Sequence, residues 1–188
     1  MRVLYLTNKD SLVEKEILTA INSTNDEIEI YRTRFLLKEV QNKFDFIVSD
    51  RARFLISEDI INHFNKKIIN LHPSFLPWCR GYHPNYWSIK KNLPHGVTIH
   101  YIDKNIDTGD ILLQKEVSYK KNDTLRTSYN RLRFEMLNLF VNNWEKIRNN
   151  KIKSFKQDNS INSIFYKKDF NGIFEKLSKG WDTSIKDI

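Results

Sequence analysis

The chain is poor in cysteine, proline and glycine: one Cys, four Pro and five Gly among 188 residues. A lone Cys79 excludes an internal disulfide framework and any cysteine-rich metal site. The scarcity of glycine and proline excludes collagen-like and low-complexity architectures. No apolar run is long enough to span a bilayer. The N-terminal stretch MRVLYLTNKDSLVEKE has too brief an apolar segment for a secretory signal and lacks small residues for cleavage. A cytoplasmic location with no membrane partner is therefore expected. Acidic residues are also in deficit, 23 against 31 Lys and Arg, giving a formal charge of +8. That balance suits an anionic partner: a phosphorylated small molecule, a nucleic acid or a carboxylate-rich cofactor. The basic residues are dispersed and no zinc-finger or RNA-binding signature occurs, so nucleic acid is the less expected of the three.

What remains is the composition of a folded globule, 40% hydrophobic and 13% aromatic, of a length that suits one ordinary domain. Short apolar runs alternate with helical patterns. RVLYLT (Arg2 to Thr7), EIEIYRT (Glu27 to Thr33), FDFIVSD (Phe44 to Asp50) and KKIINLH (Lys66 to His72) read as strands. Ser11 to Ser23 and Ser57 to Asn65 read as helices opened by a serine. This rhythm predicts an α/β fold with a mostly parallel, twisted, Rossmann-like sheet and flanking helices, with ligands outside the carboxyl ends of the strands. HPNYWSIKKN reads as a short helix entered through Pro84, and GVTIHYI and DILLQKEVSY as two further strands. Leu125, Tyr129, Leu132, Met136, Phe140 and Trp144 form an apolar stripe on a long helix from Asp123, its expected cap, to Asn149. Residues 1–149 are expected to form the main domain and 150–188 a short C-terminal extension, with one helical candidate from Phe170 to Gly180.

The stretch NLHPSFLPWCRGYHPNYW, Asn70 to Trp87, gathers two Asn, two His, three Pro and two Trp, residues that a core has little use for in such density. Asn70 and His72 lie two apart where a strand runs out, so both side chains point the same way. Asp107 lies in the turn IDTGDI, where Gly109 is expected to let the backbone bend sharply. An amide, an imidazole and a carboxylate in one cavity can stabilise an oxyanion and move a proton. Taken singly, Asn70 also suits a turn, His72 a satisfied half-buried histidine and Asp107 an Asx turn. Cys79 beside Arg80 is a candidate thiolate, though a lone loop cysteine is usually inert. No GxSxG, phosphate-loop or HExxH motif is present.

INLHPSFLPWCRG followed by GVTIHYIDKNIDTGDILLQKEV closely resembles the signature of the folate-dependent formyltransferases, strongly from about Phe44 to Val117 and weakly on either side. The resemblance implies transfer of a formyl group from N10-formyltetrahydrofolate to an amine, with Asn70, His72 and Asp107 as the catalytic set and no metal required. It implies that Arg53, Phe54, Leu55 and Ile56, with the turn from Asp103 to Asp107, hold the folate pterin; Phe54 to Ile56 equally suit core positions before a helix. RGYHPNYW resembles the branch that formylates nucleotide-linked (dTDP-, GDP- or UDP-) amino sugars for bacterial surface polysaccharides. There Arg80, His83, Asn85, Tyr86 and Trp87 would meet the substrate, although Trp87 equally suits the buried face of a short helix. FYKKDF, Phe165 to Phe170, resembles the same branch and would meet the base and diphosphate. Other acceptors, methionyl-tRNA or glycinamide ribonucleotide, and a non-catalytic folate- or nucleotide-binding module are the alternatives; LTNKDSL lacks the glycines expected for the ribonucleotide phosphate. Assembly as a homodimer stays open.

Overall fold

The computed structural model describes residues 1–8, 12–158 and 160–188. Six strands form one sheet: β1 (Arg2–Thr7), β2 (Glu27–Tyr31), β3 (Phe46–Asp50), β4 (Ile68–His72), β6 (Gly96–Tyr101) and β7 (Ile111–Glu116), in the order β2-β1-β3-β4-β6-β7. The first four are parallel to one another, β6 runs antiparallel to β4, and β7 turns back antiparallel to β6. This is the expected mostly parallel α/β sheet with one reversed strand. The helices are α1 (Glu14–Asn22), α2 (Leu37–Val40), α3 (Glu58–Phe64), α4 (Pro84–Lys90), α5 (Leu125–Val141) and α6 (Trp144–Arg148). Ser11, expected to open α1, lies outside the described residues. Among the described residues no helix is long and apolar enough to cross a membrane.

The two faces of the sheet bury different clusters because strand side chains alternate. Val3, Tyr5, Val48, Ile69, Leu71, Val97 and Ile99 pack against Ile17 and Ile21 of α1 and Leu132, Met136 and Phe140 of α5. Leu4, Leu6, Ile47 and Ile68 pack against Val40 of α2 and Ile60 and Phe64 of α3. On this second face the apolar cover reaches β4 only at Ile68. Beyond it lies the polar strand end.

Two helix expectations need correction. The long helix stops at Val141 and resumes as α6, because Asn143 turns its side-chain amide onto the Leu139 carbonyl and competes with the backbone ladder. Its cap is Thr124, whose hydroxyl accepts from the Thr127 amide, while Asp123 accepts two guanidinium bonds of 2.6 Å from Arg131. The helix expected from Phe170 to Gly180 is a run of short 3₁₀ turns, broken where Gly172 (φ +70°) and Gly180 (φ +52°) leave the right-handed region. Phe170 and Trp181 of this run close over α4 in a third apolar cluster with Cys79, Tyr86, Trp87 and Leu125.

The extension is tied to the sheet's active edge. Its strand β8 (Ile164–Phe165) pairs in parallel with β5 (Arg80–Gly81), and Phe155 bridges to Ile111. Gly81 sits at φ +88°, and a Cβ there would lie 2.2 Å from the Phe165 carbonyl oxygen, so only glycine lets the two strands meet.

Candidate active site

Register assembles the site. Across the antiparallel β4–β6 pair, Asn70 stands opposite His100 and His72 opposite Thr98. Opposed residues share a face, so Asn70, His72 and His100 project together while Ile69, Leu71, Ile99 and Tyr101 point into the core with α5. His100 was not among the sequence candidates. The signal was available: in VTIHY the buried apolar residues Val97, Ile99 and Tyr101 alternate with Thr98 and His100, which must face the other way.

Asp107 is delivered by the turn after β6. The left-handed residue of this turn is Asp107 itself (φ +53°), not Gly109 as expected. Gly109 is needed for close approach, since a Cβ there would lie 1.9 Å from the Tyr101 carbonyl oxygen. Nor is Asp107 the Asx-turn residue. That role belongs to Asp103, whose carboxylate accepts from the Asn105 amide (3.1 Å) and the Thr108 hydroxyl (2.7 Å). Asp103 therefore shapes the turn with its side chain.

Asp107 Oδ2 accepts from the Gly81 amide at 2.8 Å, and Oδ1 accepts from Asn70 Nδ2 at 3.3 Å. His72 Nδ1 and His100 Nε2 each lie 3.6 Å from one of its oxygens. Burial pushes the Asp107 carboxyl up, but His72, His100, the Gly81 amide and Arg80 outweigh it and hold the group below the usual carboxylate range. Burial drives His100 down to about 4, so it is a neutral imidazole at physiological pH. An ionised carboxylate, two imidazoles and an amide donor thus converge at a strand end, close enough to exchange a proton and to donate to a developing oxyanion.

The segment after β3 divides. Phe54 is half-buried with its ring edge-on to Phe35, and Ile56 packs under α3. Arg53 is exposed and Leu55 is 72% exposed, an apolar side chain left uncovered beside the strand ends. A core role fits Phe54 and Ile56 but not Leu55.

Among the residues expected to meet the acceptor, three face inward. Asn85 is buried, donates to the Leu125 carbonyl (3.0 Å) and Ser128 hydroxyl (3.0 Å), and sets Oδ1 3.0 Å from His95 Nε2. Its amide joins α4 to α5 and has no group left for a sugar. Trp87 stacks on Phe165 at 4.3 Å and 6°, and Tyr86 packs edge-on against Trp87 and Phe170. Both belong to the third apolar cluster, as the helix-face alternative for Trp87 held. Arg80 is a clamp: its Nε and Nη2 donate to Gln157 Oε1, whose own amide donates to the carbonyls of Asp107 (2.9 Å) and Gly109 (2.8 Å). Gln157 lies in the weakly patterned tail, where no motif marks it. Cys79 is fully buried and its thiol is pushed up to about 12, so Arg80 does not make it a thiolate.

His83 alone of this group opens to solvent-accessible space. With Tyr82, Phe170, Phe174, Glu175 and Trp181 it lines a cleft of about 520 Å³. Its ring lies 4.2 Å from Phe170 and 5.0 Å from Trp181, and burial lowers it to about 4. The cleft begins one residue beyond Gly81, whose amide holds Asp107.

Fold and site together define an α/β protein with an amide, two imidazoles and a carboxylate clustered at its strand ends and an aromatic cleft alongside. The chain belongs to the formyl transferase family, whose model matches residues 6–143. It is 30% identical over 149 residues to methionyl-tRNA formyltransferase of Fusobacterium nucleatum, covering 78% of this chain and 48% of that protein. It is 29% identical over 135 residues to dTDP-4-amino-4,6-dideoxyglucose formyltransferase of Mycobacterium bovis, covering 72% of this chain and 56% of that one. The chain thus spans about half the length of these curated relatives. The crystal structure of the formyltransferase PseJ from Anoxybacillus kamchatkensis, in complex with UDP-4,6-dideoxy-4-formamido-L-AltNAc and tetrahydrofolate, matches along nearly its whole length. Its TM-score is 0.92 and its identity 39%, over 99% of this chain and 96% of that one.

Proposed function

We propose that the protein transfers a formyl group from N10-formyltetrahydrofolate to the amine of a nucleotide-linked deoxyamino sugar. The observation that carries the reading is the convergence of Asn70, His72 and Asp107 at the end of β4. The whole-chain likeness to PseJ supports the sugar class and favours a UDP-linked 4-amino acceptor over dTDP- and GDP-linked ones.

In this reading the acceptor nitrogen attacks the formyl carbon and the carbonyl oxygen becomes an oxyanion. Asn70 Nδ2 and a His72 N–H donate to it. Asp107 orients His72 and takes up the surplus proton of the amine, directly or through a water. Cleavage of the C–N10 bond returns tetrahydrofolate, which receives that proton at N10, and leaves the formamide on the sugar. The pterin lies against the segment Arg53 to Ile56, where it would cover the exposed Leu55, and against the turn from Asp103 to Asp107. The sugar amine reaches Asp107 past Gly81, and the nucleotide half lies along His83 and Phe170 with Lys167 and Lys168 nearby in sequence. Asn85, Tyr86, Trp87 and Arg80 support the acceptor site from behind instead of touching it.

The test is to incubate the protein with N10-formyltetrahydrofolate and a panel of UDP-, dTDP- and GDP-linked 3- and 4-amino deoxysugars, reading tetrahydrofolate release and product mass. A formyl mass gain on a UDP-linked 4-amino sugar is expected. A panel left unmodified while methionyl-tRNA is formylated contradicts the sugar assignment.

A further inference from the structure

His72, His100 and Asp107 surround one point. One nitrogen or oxygen from each lies within 4.8 Å of the others, and each imidazole nitrogen stands 3.6 Å from a carboxylate oxygen. The opposite nitrogen of each ring faces a main-chain carbonyl: His72 Nε2 lies 3.4 Å from the Cys79 oxygen and His100 Nδ1 lies 2.7 Å from the Tyr101 oxygen. A carbonyl oxygen only accepts, so the His100 proton sits on Nδ1 and its Nε2 lone pair turns inward, 3.3 Å from Asn70 Nδ2 and 3.6 Å from Asp107; an ion at His72 Nδ1 would displace any proton held there. Histidines that bind metals are oriented in this way, by a backbone carbonyl that fixes the tautomer from the far side.

We propose that His72, His100 and Asp107 form a binding site for a divalent cation of the zinc class, and that the ion, once bound, blocks the formyl transfer proposed above. Zinc binds imidazole nitrogen and carboxylate oxygen at about 2.0–2.2 Å, which spaces tetrahedral ligand atoms about 3.3–3.6 Å apart. The two 3.6 Å separations fall near that range, the His72 one measured to Oδ2 of Asp107 and the His100 one to Oδ1, so a small turn of the carboxylate brings one oxygen to both rings. Three protein ligands leave the fourth position to water. Magnesium and calcium are disfavoured because they take all-oxygen shells of six or more ligands. The remaining bonds to Asp107, from the Gly81 amide and Asn70 Nδ2, use one lone pair on each oxygen and leave others for the ion. Inhibition follows because the ion occupies the Asp107 carboxylate that takes up the amine's proton and the His72 nitrogen through which that carboxylate orients the ring.

The binding half is independent of the enzyme assignment. Zinc chloride titrated into the purified full-length chain against a colorimetric chelator should load one ion per chain with micromolar affinity. Cobalt should give the visible absorption of a tetrahedral site. His100→Ala and His100→Gln, each checked for folding by circular dichroism, should weaken zinc by about tenfold or more. His63→Ala, on the exposed side of α3, should bind as the parent does. Absence of stoichiometric zinc, or binding untouched by both His100 variants, overturns the site. In the formyl-transfer assay zinc should inhibit over the same concentrations and EDTA should restore turnover; full activity with the site loaded overturns the inhibitory role. A chain that binds zinc through His100 yet formylates no amino sugar confirms the site and contradicts the function proposed above.

Discussion

Two buried polar clusters in this molecule both pair an asparagine with histidine and are bonded differently. Around Asn85, the amide, His95 and Ser128 meet at 3.0–3.2 Å, and His95 Nδ1 lies 2.7 Å from the Val117 carbonyl. Around Asp107, Asn70 stands at 3.3 Å and both imidazoles at 3.6 Å. The first cluster has its hydrogen bonds closed within the fold and is therefore glue between α4 and α5. The second is closed on its outer side by carbonyls and the Gly81 amide, and toward its centre it has only long contacts, from Asn70 at 3.3 Å and from the imidazoles at 3.6 Å. A polar cluster that does chemistry keeps donors and acceptors in reserve for the reacting atoms.

Substitutions break this contrast most sharply at the slack cluster. His72→Ala and Asp107→Asn should each lower kcat by about 10²–10³, the loss typical of one oxyanion donor or its partner, with little change in unfolding temperature. Steady-state kinetics and calorimetry on the same preparations check both halves. Gln157→Ala comes next. It frees the Asp107–Gly109 turn and leaves the Arg80 guanidinium only the Ile161 carbonyl as acceptor, so kcat should fall by about tenfold to a hundredfold while KM for folate changes less. The saturated cluster should respond in the opposite sense: Asn85→Leu should lose about 1–3 kcal/mol in urea unfolding while the folded fraction turns over near the parental rate.

The smallest effect is an acid slope. Arg131 holds Asp123 down to about 2, against an unfolded value of about 3.9. A depressed carboxylate contributes stability above the unfolded value and loses it as pH falls toward the folded one. Stability should therefore decline between about pH 4 and pH 2, and Asp123→Asn should flatten that part of the profile. Chemical denaturation at stepped pH measures the difference.

The strands and the Asn70–His72–Asp107 convergence were legible in the sequence because a two-residue period and a spaced pair of motifs specify them locally. His100 carried the same period but was read only as one residue of the strand GVTIHYI. Gln157 had no signal, since its meaning comes from a turn fifty residues earlier in the chain. Asn85, Tyr86 and Trp87 lie in a substrate-like run, yet which side of a seven-residue helix faces the cleft depends on the 3₁₀ segment that packs over it. The same packing overrides the helical pattern of Phe170 to Gly180: aromatic contacts of Phe170 with Tyr86 of α4 and with Trp181, not helical periodicity, decide its path.

The most direct measurement compares two asparagines. Asn70→Ala and Asn85→Ala are assayed for formyl transfer to the same UDP-linked 4-amino sugar at a temperature where circular dichroism shows both folded. The account predicts that Asn70→Ala loses about 10²–10³ in kcat and keeps the parental stability, while Asn85→Ala keeps turnover and loses stability. Near-parental turnover by Asn70→Ala, or a catalytic loss confined to Asn85→Ala, would contradict it.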